Sequence, residues 1–297
     1  MQWLCETAAC RDRQLAGAIA RSAPTENQSP YLFIPLPIQL DLDESRTPKT
    51  LLAGAAGVSK SYGLRWMAYR RCLRIPGYRV LLLRCTYDEL EKNHLQYMDR
   101  EAHLLAANTG HLVRYSSNPQ SRRFIVGHEN GNDSIIFAGY CDNKADIKRH
   151  VGPEWDLVIL EEAVTFLQEA VDEILTRSRG SETARAMTGG GGQAWLGSNP
   201  GGRAMLYLVE HYITHDPDPA EYPRYRHVEH GHISGRMEDN PYLHENYEQE
   251  NLSHLRADRY AQLRHGDWTI FGSQFFHAWS PIRDGLPWHV ANLDAAC

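Results

Sequence analysis

Apolar residues along this chain fall into short unbroken runs, separated by polar stretches that carry helical spacing. Leu51, Leu52 and Ala53 form an extended apolar lead, and the segment 62–69 beyond it has the spacing of a helix. Ile75-Pro-Gly-Tyr78 then signals a stop. Arg79-Val-Leu-Leu-Leu-Arg84 is a continuous apolar run of the kind a buried parallel strand shows. Asp88 is placed to cap a helix over 89–107, whose repeat includes Leu90, His94, Leu95, Met98, His103 and Leu104. Strand-like pieces at 123–126 and 134–138 flank Asn130-Gly-Asn-Asp133, a hairpin-type turn cluster.

The second half repeats the alternation. Residues 155–162 put four apolar residues in line before two carboxylates, and a helix over about 165–177 follows, with Gly180 suited to its end. Residues 181–192 read as a small-residue loop ending in four glycines, and 194–197 as the next strand. A helix at 203–213, a strand at 225–229, a helix opened by Asp239-Asn-Pro-Tyr-Leu243 and a last helix over 253–264 complete the pattern. Ahead of it, 1–30 is a lead-in with an alanine-rich helix at 11–21. Residues 31–39 are apolar but interrupted by Pro35 and Pro37, which predicts an extended or turning segment. Strand–helix alternation of this kind predicts an α/β fold, doubly wound or RecA-like, with a mainly parallel sheet and helices on both faces.

Composition narrows the class without choosing a function. With 297 residues, 42% hydrophobic and 23% charged, the chain has room for a full α/β core. No apolar run reaches the length of a membrane span, and the first twenty residues lack the apolar block of a signal peptide. Six scattered cysteines with no Cys-x-x-Cys pair point to free thiols in a reducing compartment. The net charge of −6 does not announce nucleic acid, yet Arg65, Arg70, Arg71, Arg74, Arg79 and Arg84 crowd one region, and Arg114, Arg122 and Arg123 another. Such groups are either solvated faces or a patch for phosphates or a neighbouring subunit.

The candidate chemistry starts at Gly54-Ala55-Ala56-Gly57-Val58-Ser59-Lys60-Ser61. Strand, glycine-bearing turn, Lys-Ser and helix is the context a phosphate-binding loop requires, because backbone N–H groups and the helix start converge on phosphate oxygens. Lys60 would reach the β- and γ-phosphates of ATP, and the Ser61 hydroxyl would ligate Mg²⁺. Serine at 59 departs from the usual glycine and costs about 1–2 kcal/mol if its φ is positive. Glu161 is placed to hold Mg²⁺, usually through water, and Glu162 to orient and deprotonate the attacking water. Read blandly, the same pair is an acidic helix start. Asn199, in Ser198-Asn-Pro-Gly-Gly202, would hydrogen-bond the γ-phosphate or the lytic water, or simply form an Asn-Pro turn. Gln39 is equally open between a contact to the adenine edge and a surface glutamine.

Taken together, 54–61, Pro76-Gly-Tyr-Arg-Val-Leu-Leu-Leu-Arg84, Leu157-Val-Ile-Leu-Glu-Glu-Ala163 and Ser198-Asn-Pro-Gly-Gly202 resemble the ATPase domain of tailed-bacteriophage terminase large subunits. Asp239-Asn-Pro-Tyr-Leu243, Arg264-His-Gly-Asp-Trp268 and Gly272-Ser-Gln-Phe-Phe276 extend the likeness, which runs from about Gln39 to Phe276. The resemblance implies a RecA-like ASCE ATPase in the host cytoplasm that drives double-stranded DNA into a procapsid. It would act as a homo-oligomeric ring at the portal protein, with a small terminase subunit and away from any membrane. It places Lys60 and Ser61 on the Walker A positions, Glu161 and Glu162 on the Walker B pair, Ser198, Asn199 and Pro200 on the coupling motif, and Gln39 on the adenine-contacting glutamine. Glu161 stands where the family has aspartate. The loop carries no arginine, which leaves Arg177 and Arg179 as candidates to reach a neighbour's site or to cap their own helix. The implied organisation is a lead-in at 1–38, an ATPase domain at 39–270, and at 271–297 the start of a linker toward a nuclease domain, so no nuclease activity is expected of this chain. The competing expectations are another P-loop ATPase, helicase-like or recombinational, and a non-hydrolysing assembly module.

Overall fold

The computed structural model describes residues 33–118, 122–188 and 190–270. The helix expected over 11–21 and the segment 271–297 lie outside the described residues. Eight strands form one sheet: β1 Lys49–Gly54, β2 Arg79–Arg84, β3 Val113–Ser116, β4 Arg123–Val126, β5 Ser134–Tyr140, β6 Leu157–Glu161, β7 Gln193–Gly197 and β8 His230–Gly235. Their order across the sheet is β3-β4-β5-β2-β6-β7-β1-β8. From β5 to β8 every pairing is parallel, and only β4 runs against its neighbours.

The apolar runs form strands because both faces of the sheet are covered. On one face Leu52, Val80, Leu82, Leu157, Ile159 and Trp195 pack under α1 (Pro37–Glu44), α2 (Lys60–Arg74) and α3, a continuous helix over 87–109. On the other, Leu51, Leu81, Leu83, Val158, Leu160 and Leu196 meet α4 (Lys144–His150), α5 (Gln168–Leu175) and a helix at 205–213. Alternate residues of each strand therefore serve different cores, and no polar position is left along the central run. This is the mixed α/β, RecA-like arrangement that the alternation predicted.

Several local expectations are corrected. Residues 37–44 are helical: Pro37 sits at the first turn, where its missing N–H costs nothing, and Gln39 Oε1 accepts the Leu36 N–H at 2.9 Å. Thr86, not Asp88, caps α3, its hydroxyl accepting from Glu89 N–H. The loop expected over 181–192 contains a helix at Glu182–Thr188. The strand expected at 225–229 lies at β8 instead, after a 3₁₀ turn at His227–Glu229. Asp239 closes a 3₁₀ turn, Met237–Asp239, rather than opening a helix, and the helices that follow are Tyr247–Asn251 and Ala257–His265.

The first arginine group is split: Arg74 and Arg79 are solvated, and the other four turn inward. Arg65, Arg70, Arg71 and Arg84 are buried. Arg65 pairs with Glu101 at 2.9 Å, Arg71 with Asp43 at 2.5 Å, and Arg70 also meets Asp43. These are internal pairs, as burial of guanidinium requires.

The turn after β1 is held by close backbone approach. A Cβ at Gly54 would lie 2.2 Å from the Gly235 carbonyl oxygen, and one at Gly235 would lie 2.4 Å from Val58 Cγ1. Ser59 adopts φ 66°, ψ 31°, a left-handed conformation without a side-chain cap bond. Two substitutions around this turn then act in opposite directions in urea denaturation. Ser59→Gly raises stability by about 1 kcal/mol by removing the left-handed penalty. Gly235→Ala lowers it by about 1–3 kcal/mol through overpacking against Val58.

Candidate active site

In an open parallel sheet, ligand-binding groups gather beyond the carboxyl ends of the strands. β7 lies between β1 and β6, so the turn after β1, the carboxylates after β6 and the Ser198–Gly202 segment after β7 share one edge. Contacts between them are direct. Lys60 Nζ donates to the Ala55 carbonyl at 2.8 Å and to Asn199 Oδ1 at 2.5 Å. Ser61 Oγ donates to Glu161 Oε1 at 2.5 Å. Sequence separations of 139 and 100 residues are thus closed by single hydrogen bonds.

The turn is fixed from its far side. Ala55 N–H donates to the Gly235 carbonyl, Ala56 N–H to the Leu263 carbonyl at 2.7 Å, and Asn240 Nδ2 to the Gly57 carbonyl at 2.6 Å. Among the described residues the N–H groups of 57–61 donate to none, which leaves consecutive donors at a helix start facing the crevice. Val58 is fully buried and anchors the curl. Gln39 is buried too, and its Nε2 donates to the Ser59 carbonyl at 3.0 Å, so its amide is fastened to the turn. A Cβ at Gly63 would lie 2.6 Å from that amide, which explains a glycine inside α2.

Burial sets the protonation of the three ionisable groups. Desolvation lowers the pKa of Lys60 to about 8 against the upward pull of Glu162 and Glu161. Burial alone would raise Glu161, but the hydrogen bond from His94, the Arg84 charge and the Ser61 hydroxyl outweigh it and hold its pKa down at about 2. Glu162 moves the other way: burial first, then the adjacent Glu161 charge, raise its pKa. Its backbone is left-handed, φ 55° and ψ 53°, with its carbonyl accepting from both the N–H and the hydroxyl of Thr165. One carboxylate is kept ionised and its neighbour's pKa is raised, the division of labour an anchoring group and a general base would need.

Ser61 Oγ and Glu161 offer hard oxygen donors, and no group of three His, Cys, Asp or Glu among the described residues could hold a metal alone. That sparse set suits Mg²⁺, which keeps several waters and takes its remaining ligands from phosphates.

Arg177 and Arg179 stand elsewhere. The Arg177 carbonyl accepts from Trp155 N–H, just ahead of β6, and Arg179 pairs with Glu154 at 2.6 Å. Arg177 is half-buried and Arg179 exposed, and both lie at the amino end of β6, the opposite edge of the sheet from their own crevice. Two contributors escaped the sequence reading: Arg84 and His94, both on Glu161 Oε2. The one signal was His94 standing between Leu90 and Leu95 on the apolar side of the helical repeat.

Comparison with known proteins agrees with this geometry. The family described as phage terminase large subunit matches residues 47–266. The large terminase of the thermophilic bacteriophage D6E superimposes with a TM-score of 0.60 at 13% identity, covering 78% of this chain and 53% of that one. The same protein in complex with ADP gives 0.59 at 14% identity over the same shares. The large terminase ATPase domain of Thermus phage P74-26 gives 0.53 at 15% identity, covering 77% of this chain and 92% of that one. This chain therefore spans about half the length of the D6E protein. No curated protein matches. No helix among the described residues is long and apolar enough to cross a membrane. With the family matched across most of the chain, it belongs to the phage terminase large subunits, and the fold described here is that of their ATPase domain.

Proposed function

We propose that residues 39–270 form an ATP-hydrolysing motor domain that powers translocation of double-stranded DNA into a procapsid. The observation that carries this reading is the pair of contacts Lys60–Asn199 and Ser61–Glu161, which joins three separate motifs at one sheet edge. The triphosphate would lie along the N–H groups of 57–61. Lys60 would exchange its bonds to Ala55 and Asn199 for phosphate oxygens, freeing the Asn199 amide to meet the γ-phosphate or the attacking water. Glu162 would orient that water and take its proton. Mg²⁺, held by Ser61 and Glu161 with the phosphates, would supply charge neutralisation at the transferring group. Gln39, fixed beside the turn, keeps one amide hydrogen for the adenine edge. Assembly as a ring on the portal protein with a small terminase subunit in the host cytoplasm follows the family reading.

Arg177 and Arg179 lie at the amino end of β6, away from their own crevice, so a catalytic part for either would be played in a neighbouring subunit.

The decisive experiment compares wild type, Lys60→Ala and Glu162→Ala. Lys60→Ala should weaken nucleotide binding by about 1.5–3 kcal/mol, on the order of 10- to 100-fold. Glu162→Ala should bind nucleotide normally and lose about 10²- to 10⁴-fold in turnover. Three proteins that bind alike and hydrolyse equally little would leave a non-hydrolysing assembly module. Turnover stimulated by double-stranded DNA, with binding that falls as salt rises, separates the motor from a generic P-loop ATPase.

Lys60 provides a second handle. Phosphate oxygens restore the pKa that burial lowers to about 8, so nucleotide binding on the alkaline side of that value takes up protons, and binding at neutral pH does not. Calorimetric titration with ADP in buffers of different ionisation enthalpy should show this uptake, and Lys60→Met should abolish it.

A further inference from the structure

Glu161 is a longer side chain than the aspartate expected at its position, with one more torsion to hold still. Its carboxylate is nonetheless fully engaged. Oε1 accepts from Ser61 Oγ at 2.5 Å, while Oε2 accepts from Arg84 Nη1 and lies 3.2 Å from His94 Nε2. Since a carboxylate can only accept, His94 Nε2 carries the proton. Neither partner is there by chance of surface crowding. Arg84 closes β2, whose Leu83 pairs in register with Leu160 beside Glu161, and its other contact is Glu89 at 3.6 Å. His94 is completely buried and is delivered by a π-helical turn, Glu91–Leu95, inside α3. Such turns insert one residue into a helix and cluster at functional sites.

The plain alternative is a core histidine that fills space. Two features argue against it. The ring reaches the one carboxylate among the described residues that also contacts Ser61. Its Nδ1 has no hydrogen-bond partner among the described residues, a burial cost that an apolar residue of similar size would not incur.

We propose that His94 and Arg84 are positioning residues that clamp Glu161 Oε2, immobilising the longer side chain so that Oε1 stays turned toward Ser61 and the nucleotide's metal. The clamp takes up the slack of the additional methylene, as supporting hydrogen bonds do around metal-binding carboxylates. This inference rests on the site being the metal–nucleotide site described above, and the test keeps the two apart.

Mn²⁺ binding is followed by electron paramagnetic resonance on the full chain with ADP, beside metal-free ADP binding and thermal melting. His94→Ala should lower Mn²⁺ affinity about 10- to 100-fold while metal-free ADP binding stays as in wild type. His94→Gln, whose amide nitrogen reaches the place of Nε2, should recover most of the affinity. Should His94→Ala not fold, His94→Asn, a donor too short to reach Glu161, is read in its place with the same expected loss. In a Glu161→Asp background the His94 substitution should have little further effect, because the shorter carboxylate no longer spans the distance. Unchanged Mn²⁺ affinity in the His94 variants, with affinity lost in Glu161→Ala and Ser61→Ala, overturns the clamp and leaves the site intact. Unchanged affinity in all of them overturns the site itself.

Discussion

Burying Lys60, Arg84 and Glu161 with a partly buried Glu162 at one sheet edge is the constraint on which this structure turns. An unpaired charge in that position would cost several kcal/mol, so each must be placed within reach of a partner. Two cations and two carboxylates balance, and the hydrogen bonds between Lys60 and Asn199, Ser61 and Glu161, and Arg84 and Glu161 distribute them. The partners in each of these bonds are far apart in sequence. The order of β2, β6, β7 and β1 across the sheet is what brings them together, and a different crossover would leave bare charge in the core.

The same need explains how the phosphate loop is kept open. Its inner N–H groups are left free because its outer ones are spent on Gly235 and Leu263, and its carbonyl at Gly57 on Asn240. The last helix thereby supports the turn from outside, while Arg259 Nη1, from that helix, donates to the Pro200 carbonyl in the Ser198–Gly202 segment. Among the described residues, two of the three non-glycine residues with positive φ, Ser59 and Glu162, lie in this crevice. Conformational cost of this kind persists only where surrounding contacts over-determine the backbone. Here those contacts are the glycine approach beneath the turn and the Thr165 bonds to Glu162.

Most of the sheet was legible in the sequence, because strands buried on both faces must be continuous apolar runs. β1, β2, β6 and β7 announce themselves that way, and the proposed site lies at their ends. β3, α4 and the helix at 182–188 were hidden: they are short, and tertiary packing rather than periodicity decides them. The sheet-edge residues Lys60, Ser61, Glu161, Glu162 and Asn199 could be picked out because strand, turn and polar residue form a local pattern. What local pattern could not show was pairing across the fold. Arg65, Arg70, Arg71 and Arg84 look like a basic face in one dimension, and only Asp43, Glu101 and Glu161, arriving from other elements, turn them inward. Gln39 is similar: nothing in its neighbourhood says that its amide reaches the Ser59 carbonyl.

Charge balance in the resting crevice also bears on assembly. Lys60 and Arg84 are already matched by Glu161 and Glu162, so neither is a surplus cation for an incoming triphosphate. Backbone N–H groups and a divalent metal offset part of that new charge. The rest would fall to further cations, and arginines 177 and 179 sit beyond the amino end of β6, at the wrong edge of their own sheet. A monomer would therefore bind the ground state tolerably and stabilise developing charge poorly. In the proposed ring, a guanidinium lent by one subunit to the next would remove that deficit.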